Sequence, residues 1–382
     1  MPKLKCLNKI LMMGLTIVAA IVFSLTVNAQ TAKQHKYVII GYVGGYHGLV
    51  DTTMVHPSKL NVINYAFVDV KNNRAFLTNL KTDTINFQYL LNLKKINPDL
   101  KVVISIGGWG WSRNFSDAVL SDTARQAFVA SAIVLVRKYH LDGIDIDWEY
   151  PGMIGAGNIY RDSDKHNYTL MFRDLRHGLD SVEEETGKRM LLSAAVGGFK
   201  TFLLHTEMGK VAQYLNYVNL MTYDYSHGDS VAIHHTNLFA SKQYSSNEYA
   251  ATAVTDFESA GVPANKLVMG IAFYGHSVKV IDNEQHGLGA KVVGGRIQIG
   301  GGYTFIKDSL INKKGFKYYK DKNAMAPYLY NADTKQFISF DDEWSVKNKC
   351  RYVHENDMAG VMFWEYSSDK KEYLLDEIDN DL

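Results

Sequence analysis

From residue 37 onward, short runs that are apolar at nearly every position alternate with longer stretches whose apolar residues recur at helical spacing. The short runs fall at 38–43, 62–67, 102–106, 143–148, 190–195, 218–221, 267–273 and 360–364. Runs of this kind are how parallel strands read when both of their faces are covered. In residues 122–139, Phe128, Ala132, Leu135/Val136 and Tyr139 lie one turn apart, which predicts a helix. Ser245 to Glu248 spell a capping box for a further helix reaching Ala260, where Gly261 and Pro263 stop it. Strands alternating with helices over this length predict an α/β fold, a (β/α)8 TIM barrel over residues 36–378, with a doubly wound sheet as the alternative.

The interval between the seventh and eighth runs breaks the rhythm. Residues 275–340 are rich in Gly, Tyr and Lys and carry no βα repeat, which predicts a small α+β insertion between strands 7 and 8. Gly294-Gly295-Arg296 and Gly300-Gly301-Gly302 read as hairpin turns around Ile297-Gln298-Ile299. These glycines lack the strand-to-helix context of a phosphate cradle. No linker or low-complexity tract marks off a separate binding module.

The first 29 residues read differently. Lys3, Lys5 and Lys9 precede an apolar run over 10–27, and Val27-Asn28-Ala29 is a small-x-small site. This pattern predicts a secretory signal peptide at 1–29, cleaved near Ala29, and a secreted or periplasmic protein with no stable membrane association afterwards. Cleavage removes Cys6 and leaves Cys350 alone, so no intramolecular disulfide is expected. Lys and Arg total 41 against 40 Asp and Glu. So even a balance offers no footprint for nucleic acid. The notable composition is aromatic, with 24 Tyr, 17 Phe and 5 Trp. Large cores and tyrosine-rich loops account for some of these. The functional reading of the same content is a ligand with apolar faces, such as a sugar.

Candidate chemistry concentrates in Asp142-Gly143-Ile144-Asp145-Ile146-Asp147-Trp148-Glu149-Tyr150-Pro151. Asp145, Asp147 and Glu149 share one face of a strand, because side chains alternate with period two. Ile144, Ile146 and Trp148 take the other face and need a core, which argues against a solvated edge strand. In a barrel the acids point inward and end at the C-terminal mouth, where such folds carry their chemistry. Clustered carboxyls push each other's pKa values apart, so one stays protonated near neutral pH and is available as a general acid. A hard-cation site is the rival reading. No histidine lies nearby in sequence, and neither a metal nor a cofactor is predicted.

This run resembles the signature of glycoside hydrolase family 18, the chitinases and their relatives, in which Asp-x-x-Asp-x-Asp-x-Glu closes the fourth barrel strand. Asp142, Asp145, Asp147 and Glu149 match it position for position, and the run is also the fourth strand of the pattern above. Further strand ends are similar to the family's third (Val103 to Trp109), sixth (Met221-Thr222-Tyr223-Asp224), seventh (Ala272-Phe273-Tyr274-Gly275) and eighth (Gly360 to Trp364). The resemblance implies a secreted chitinase that acts on chitin or chito-oligosaccharides as a monomer. An endo-β-N-acetylglucosaminidase acting on N-glycan cores and a chitin-binding lectin are the alternatives.

The resemblance also implies roles. Glu149 is the acid, Asp147 holds the substrate's acetamido group, and Asp145 tunes Asp147. Tyr223 and Asp224 position that group. Tyr42, Phe67, Gly108, Trp109, Tyr150, Met221 and Trp364 bind substrate, while Asp142 is structural. The chain departs from the family at Ala272 and His276, where Pro and a sugar-binding Arg are usual. It also lacks a Trp shortly after Asp224.

Residue by residue, Trp148 is expected in the core by alternation. Trp109 and Trp364 are expected at the mouth, where an indole can stack on a sugar. Trp111 and Trp344 are not assigned. Tyr223 and Asp224 adjoin, so on a regular strand their side chains would diverge. His234-His235 is expected in a surface loop and Cys350 in the core.

Overall fold

The computed structural model describes residues 36–226, 230–281 and 284–382. The expected signal peptide at 1–29 lies outside the described residues. All eight apolar runs form strands: β1 (Val38–Gly44), β2 (Val62–Lys71), β4 (Lys101–Gly107), β5 (Gly143–Asp147), β6 (Leu191–Gly197), β7 (Tyr217–Met221), β8 (Leu267–Ala272) and β13 (Gly360–Trp364). They pair in parallel in the order β1-β13-β8-β7-β6-β5-β4-β2, and β1 pairs back onto β2. The sheet therefore closes into a TIM barrel. The short β3 (Arg74–Phe76) is an antiparallel extension of β2.

Alternation sorts the side chains into two cores. Ile63, Ile104, Ile144, Ile146 and Val196 face outward and join Phe128, Phe172 and Phe257 of the surrounding helices. Ile40, Val103, Val268 and Met362 face inward and fill the barrel. The helix Asp122–Tyr139 has the predicted bounds, capped by Ser121 and ended by His140 in the left-handed region. The capping box at Ser245 does not start a helix. There Ser246 Oγ accepts from the Glu248 N–H in a local turn, and the helix begins at Ala250 behind Tyr249.

Between β8 and β13 the chain leaves the barrel. It forms an antiparallel sheet in the order β10-β11-β12-β9, from β9 (Gly275–Lys279), β10 (Phe316–Asp321), β11 (Ala326–Asn331) and β12 (Gln336–Phe340), together with the helix Gly302–Ser309. Residues 297–299 are not a hairpin strand. Ile297 makes an isolated bridge to Ser277, and the segment runs along the barrel mouth. Buried Lys349 holds this region to the barrel, donating to Asp341 at 2.6 Å and to Thr236 at 2.7 Å. Asp341 in turn accepts from the Ala272 N–H. Among the described residues, no helix is long and apolar enough to cross a membrane.

Candidate active site

Strand β5 delivers its acids at graded depths. Asp142, at the strand's start, is a structural residue. It takes both contacts of Lys94 at 2.7 Å and the Val102 N–H at 2.8 Å, tying β4 to β5. Asp145 lies fully buried within the barrel and accepts from Ser193 (2.6 Å), Ser105 (2.7 Å), Tyr42 (3.0 Å) and Asn219 (3.2 Å). Burial raises its pKa, and these four donors only partly offset that.

Asp147 is next toward the mouth, and its Oδ1 is buried without a partner. Burial, then the charges of Glu149 and Asp145, raise its pKa well above the ordinary value. The backbone around it is fixed from β4. Gly108 N–H donates to the Asp147 carbonyl at 2.7 Å. Gly107 has φ +115°, and a Cβ there would stand 2.0 Å from that carbonyl oxygen, so only glycine fits.

Glu149 is about nine-tenths buried at the strand end. Burial pushes its carboxyl up to about 7; a hydrogen bond from Tyr150 opposes the shift and the Asp224 charge adds to it. Asp147 and Glu149 thus influence each other's titration, with Asp145 adding its charge to Asp147 from deeper in the barrel. Ile144, Ile146 and Trp148 lie on the opposite face, as alternation requires. Trp148 is fully buried and stacks on Phe115 with ring centroids 5.1 Å apart.

The facing wall comes from β7 and β8. Tyr223 and Asp224 both line the cleft although they are adjacent. The strand has ended at Met221, and Asp224 takes φ +62°, which turns its side chain back toward the mouth. Asp224 Oδ1 accepts from Tyr274 OH and meets His276 Nε2, each at 2.8 Å. Asp224 is half exposed, and partial desolvation against this wall would by itself raise its carboxyl. The imidazoles of His235 and His276 outweigh it and hold the group well below the usual carboxylate range.

His234 and His235 are fully buried rather than in a surface loop. Burial and the neighbouring His276 push His235 down to about 4. Asp224, His235 and His276 bring three possible metal-ligand atoms within 4.8 Å of one another. The two imidazoles, however, are stacked at 4.2 Å and 24°, so their in-plane lone pairs do not converge on one point. Asp224 and His276 thus form a hydrogen-bonded wall, with His235 stacked against His276.

Aromatic rings floor the cleft. Trp364 and Phe67 stack at 5.3 Å, and Tyr42 tilts against Trp364 at 5.7 Å. Tyr46 and Trp111 continue the floor around Phe67. Glu365 fixes Tyr46 and His47 there, through contacts of 2.9 and 2.8 Å. Trp109 stands 56% exposed at the rim beside Tyr150, 6.4 Å away. Met221 lines the base.

Gly108 sits beneath Phe67, where a Cβ would come within 2.5 Å of the ring. Its lack of a side chain leaves room for that ring. Trp344 lies away from the cleft, with Lys320 Nζ 4.5 Å over its ring. The open volume is about 1010 Å³. That is the upper end for a small-ligand pocket and fits several linked sugar rings. Sequence reasoning missed Tyr46, Tyr274, His235 and Arg296. Tyr274 lies in the strand-end motif Ala272 to Gly275 but was given no role there, and the other three lie in loops or beside the cleft without a functional motif.

The family model for glycosyl hydrolases family 18 matches residues 38–369. Chitinase A1 of Niallia circulans is 32% identical over 97% of this chain and 62% of its own length. Chitotriosidase-1 of Mus musculus is 31% identical over 81% of this chain and 67% of its own. This chain thus spans about two thirds of each of these curated relatives. Among solved structures, a family 18 N-acetylglucosaminidase from Paenibacillus barengoltzii superposes with a TM-score of 0.85 at 38% identity, covering 91% of this chain and all of that one. Chitinase ChiA74 from Bacillus thuringiensis superposes with a TM-score of 0.83 at 30% identity, over 91% of this chain and 70% of that one. With its family match extending over nearly the whole barrel and the acid series of β5 at its mouth, this chain belongs to glycosyl hydrolases family 18.

Proposed function

We propose that the protein is a chitinase that hydrolyses β-1,4-N-acetylglucosamine linkages with retention, using the substrate's own acetamido group as nucleophile. The observation that carries this reading is the pairing on β5. Glu149 has a carboxyl poised near neutrality, and two residues before it stands Asp147 with a buried, unpartnered oxygen. Glu149 gives its proton to the glycosidic oxygen as the C1–O bond breaks. The acetamido carbonyl oxygen attacks C1 and closes an oxazolinium ring. Asp147 accepts the acetamido N–H and offsets the positive charge. Tyr223 OH donates to the acetamido oxygen, and Asp224 helps orient the group.

Glu149, now a carboxylate, takes a proton from water. The resulting attack on C1, from the face the leaving group left, breaks the C1–O bond of the oxazolinium ring, returns its electron pair to the acetamido group and restores the β configuration. Having the nucleophile inside the substrate removes the entropic cost of bringing it there. The aromatic floor of Trp364, Tyr42 and Phe67 offers faces for sugar C–H groups to stack on.

The pKa of Glu149 gives a pH test. Its acid form is required, and that form is lost as pH rises through about 7. With N-acetyl chito-oligosaccharides, kcat/KM is expected to fall about tenfold per pH unit above that point. Activity that stays level up to pH 9 would contradict the assignment.

The N-acetylglucosaminidase likeness favours a second reading, release of N-acetylglucosamine units by the same chemistry; cleavage within N-glycan cores is a related one. Parallel assays on chito-oligosaccharides and N-glycopeptides separate them. A lectin role fits poorly, because Glu149 is retained. Export after cleavage near Ala29 belongs to this proposal, and N-terminal sequencing of the exported protein tests it.

A further inference from the structure

The described lining of the cleft holds four carboxylates, Asp147, Glu149, Asp224 and Glu248. It holds one arginine, Arg296, and no lysine. Asp224, held ionised, can only accept hydrogen bonds, while a sugar polymer presents hydroxyl and acetamido oxygens that call for donors. Several donors of the β7–β8 wall are already engaged. Tyr274 OH and His276 Nε2 are both turned to Asp224. His276 Nε2 is therefore not free to donate to a sugar bound there.

Arg296 comes from the segment between β9 and the helix Gly302–Ser309. Backbone bonds fix that segment on both sides of the arginine. Val292 N–H donates to the Ser230 carbonyl, Val293 N–H to Lys279 and Ile297 N–H to Ser277, at 2.7–2.8 Å. Gly294, at φ +79°, makes the turn between these anchors. Among the described residues, the one hydrogen bond of Arg296 runs from Nη2 to the Ser226 carbonyl at 3.0 Å, just beyond the β7 wall. Arg296 as a whole is exposed, and it lines the same cleft as Tyr223, Asp224 and Tyr274.

We infer that Arg296 is a substrate-binding residue, whose fork donates to the oxygens of the N-acetylglucosamine unit lying against Tyr223, Asp224 and Tyr274. This rests on the proposed function above. The role is one of binding. A fixed cation does not favour the positive charge that develops at C1, so its contacts act on ground state and transition state alike.

Arg296→Ala is expected to raise KM for N-acetylchitohexaose by about tenfold or more, the range for a lost hydrogen bond to a charged group. The change in kcat should stay within about threefold. Arg296→Lys separates binding from a simple latch. A lysine can still reach the Ser226 carbonyl but lacks the fork. A lysine variant nearly as weak as the alanine variant supports the inference, and one with wild-type KM overturns it.

Titration of N-acetylchitohexaose into Glu149→Gln, with and without Arg296→Ala, keeps the two hypotheses apart. If Glu149→Gln binds no oligosaccharide, the proposed function fails. If it binds and the added Arg296→Ala changes nothing, only the role of Arg296 fails. Affinity about tenfold weaker in the double variant is the expected result.

Discussion

Glu149→Gln is expected to lower the turnover of N-acetyl chito-oligosaccharides by at least ~100-fold while leaving oligosaccharide binding intact. The amide keeps the shape of the side chain and its place at the end of β5, but it has no proton that titrates. Burial keeps the native carboxyl protonated up to about pH 7, so the native enzyme carries a ready donor at neutral pH. The loss should appear in kcat, since protonation of the leaving oxygen belongs to the transition state. Steady-state rates together with calorimetric titration of the variant check both halves of the expectation. Near-normal turnover would remove Glu149 from the acid role.

Asp147→Asn is expected to cost about 10²–10³ in kcat, with a much smaller change in KM. The Asp147 carboxylate would accept the acetamido N–H and face the cation that forms at C1. An amide can still contact the substrate but cannot offset the charge. The unpartnered Oδ1 is central to this argument. A buried polar atom without a partner is costly, and the incoming N–H would supply the missing bond. The same account predicts that a thiazoline mimic of the oxazolinium ion inhibits the native enzyme and binds Asp147→Asn more weakly. A variant whose KM rises while kcat holds would mean that Asp147 serves only to bind.

Most of the barrel was legible because each strand buries both faces and so leaves an unbroken apolar run. The acid series was legible for a similar reason. Period-two alternation alone places Asp145, Asp147 and Glu149 together and sends Trp148 to the core, where it stacks on Phe115. The facing wall was less legible. Adjacent Tyr223 and Asp224 share the cleft only because Asp224 adopts a positive φ after the strand ends. Nothing in a residue string announces that turn.

His234 and His235 read as loop residues because their burial comes from β12 and β9, more than 40 residues away in sequence. His235 N–H, for instance, donates to Ser339 Oγ at 2.9 Å. At Ser245 the local signal was real but was spent on a turn, and tertiary contacts set the helix start at Ala250. Gly108 was read as a contact residue from its motif, and its lack of a side chain also makes room for Phe67, which the motif did not announce. Arg296 carried no signal at all, since its position depends on backbone bonds made by a glycine-rich segment.

The central claim is that the acetamido group of the substrate, and not water or a protein side chain, first attacks C1. Proton NMR of the earliest product from N-acetyl chito-oligosaccharides tests it most directly when paired with the same assay on a fully deacetylated glucosamine polymer. The account predicts the β anomer as the first-formed reducing end and no turnover of the deacetylated chain. A first-formed α anomer, or rapid cleavage of the glucosamine polymer, would contradict it.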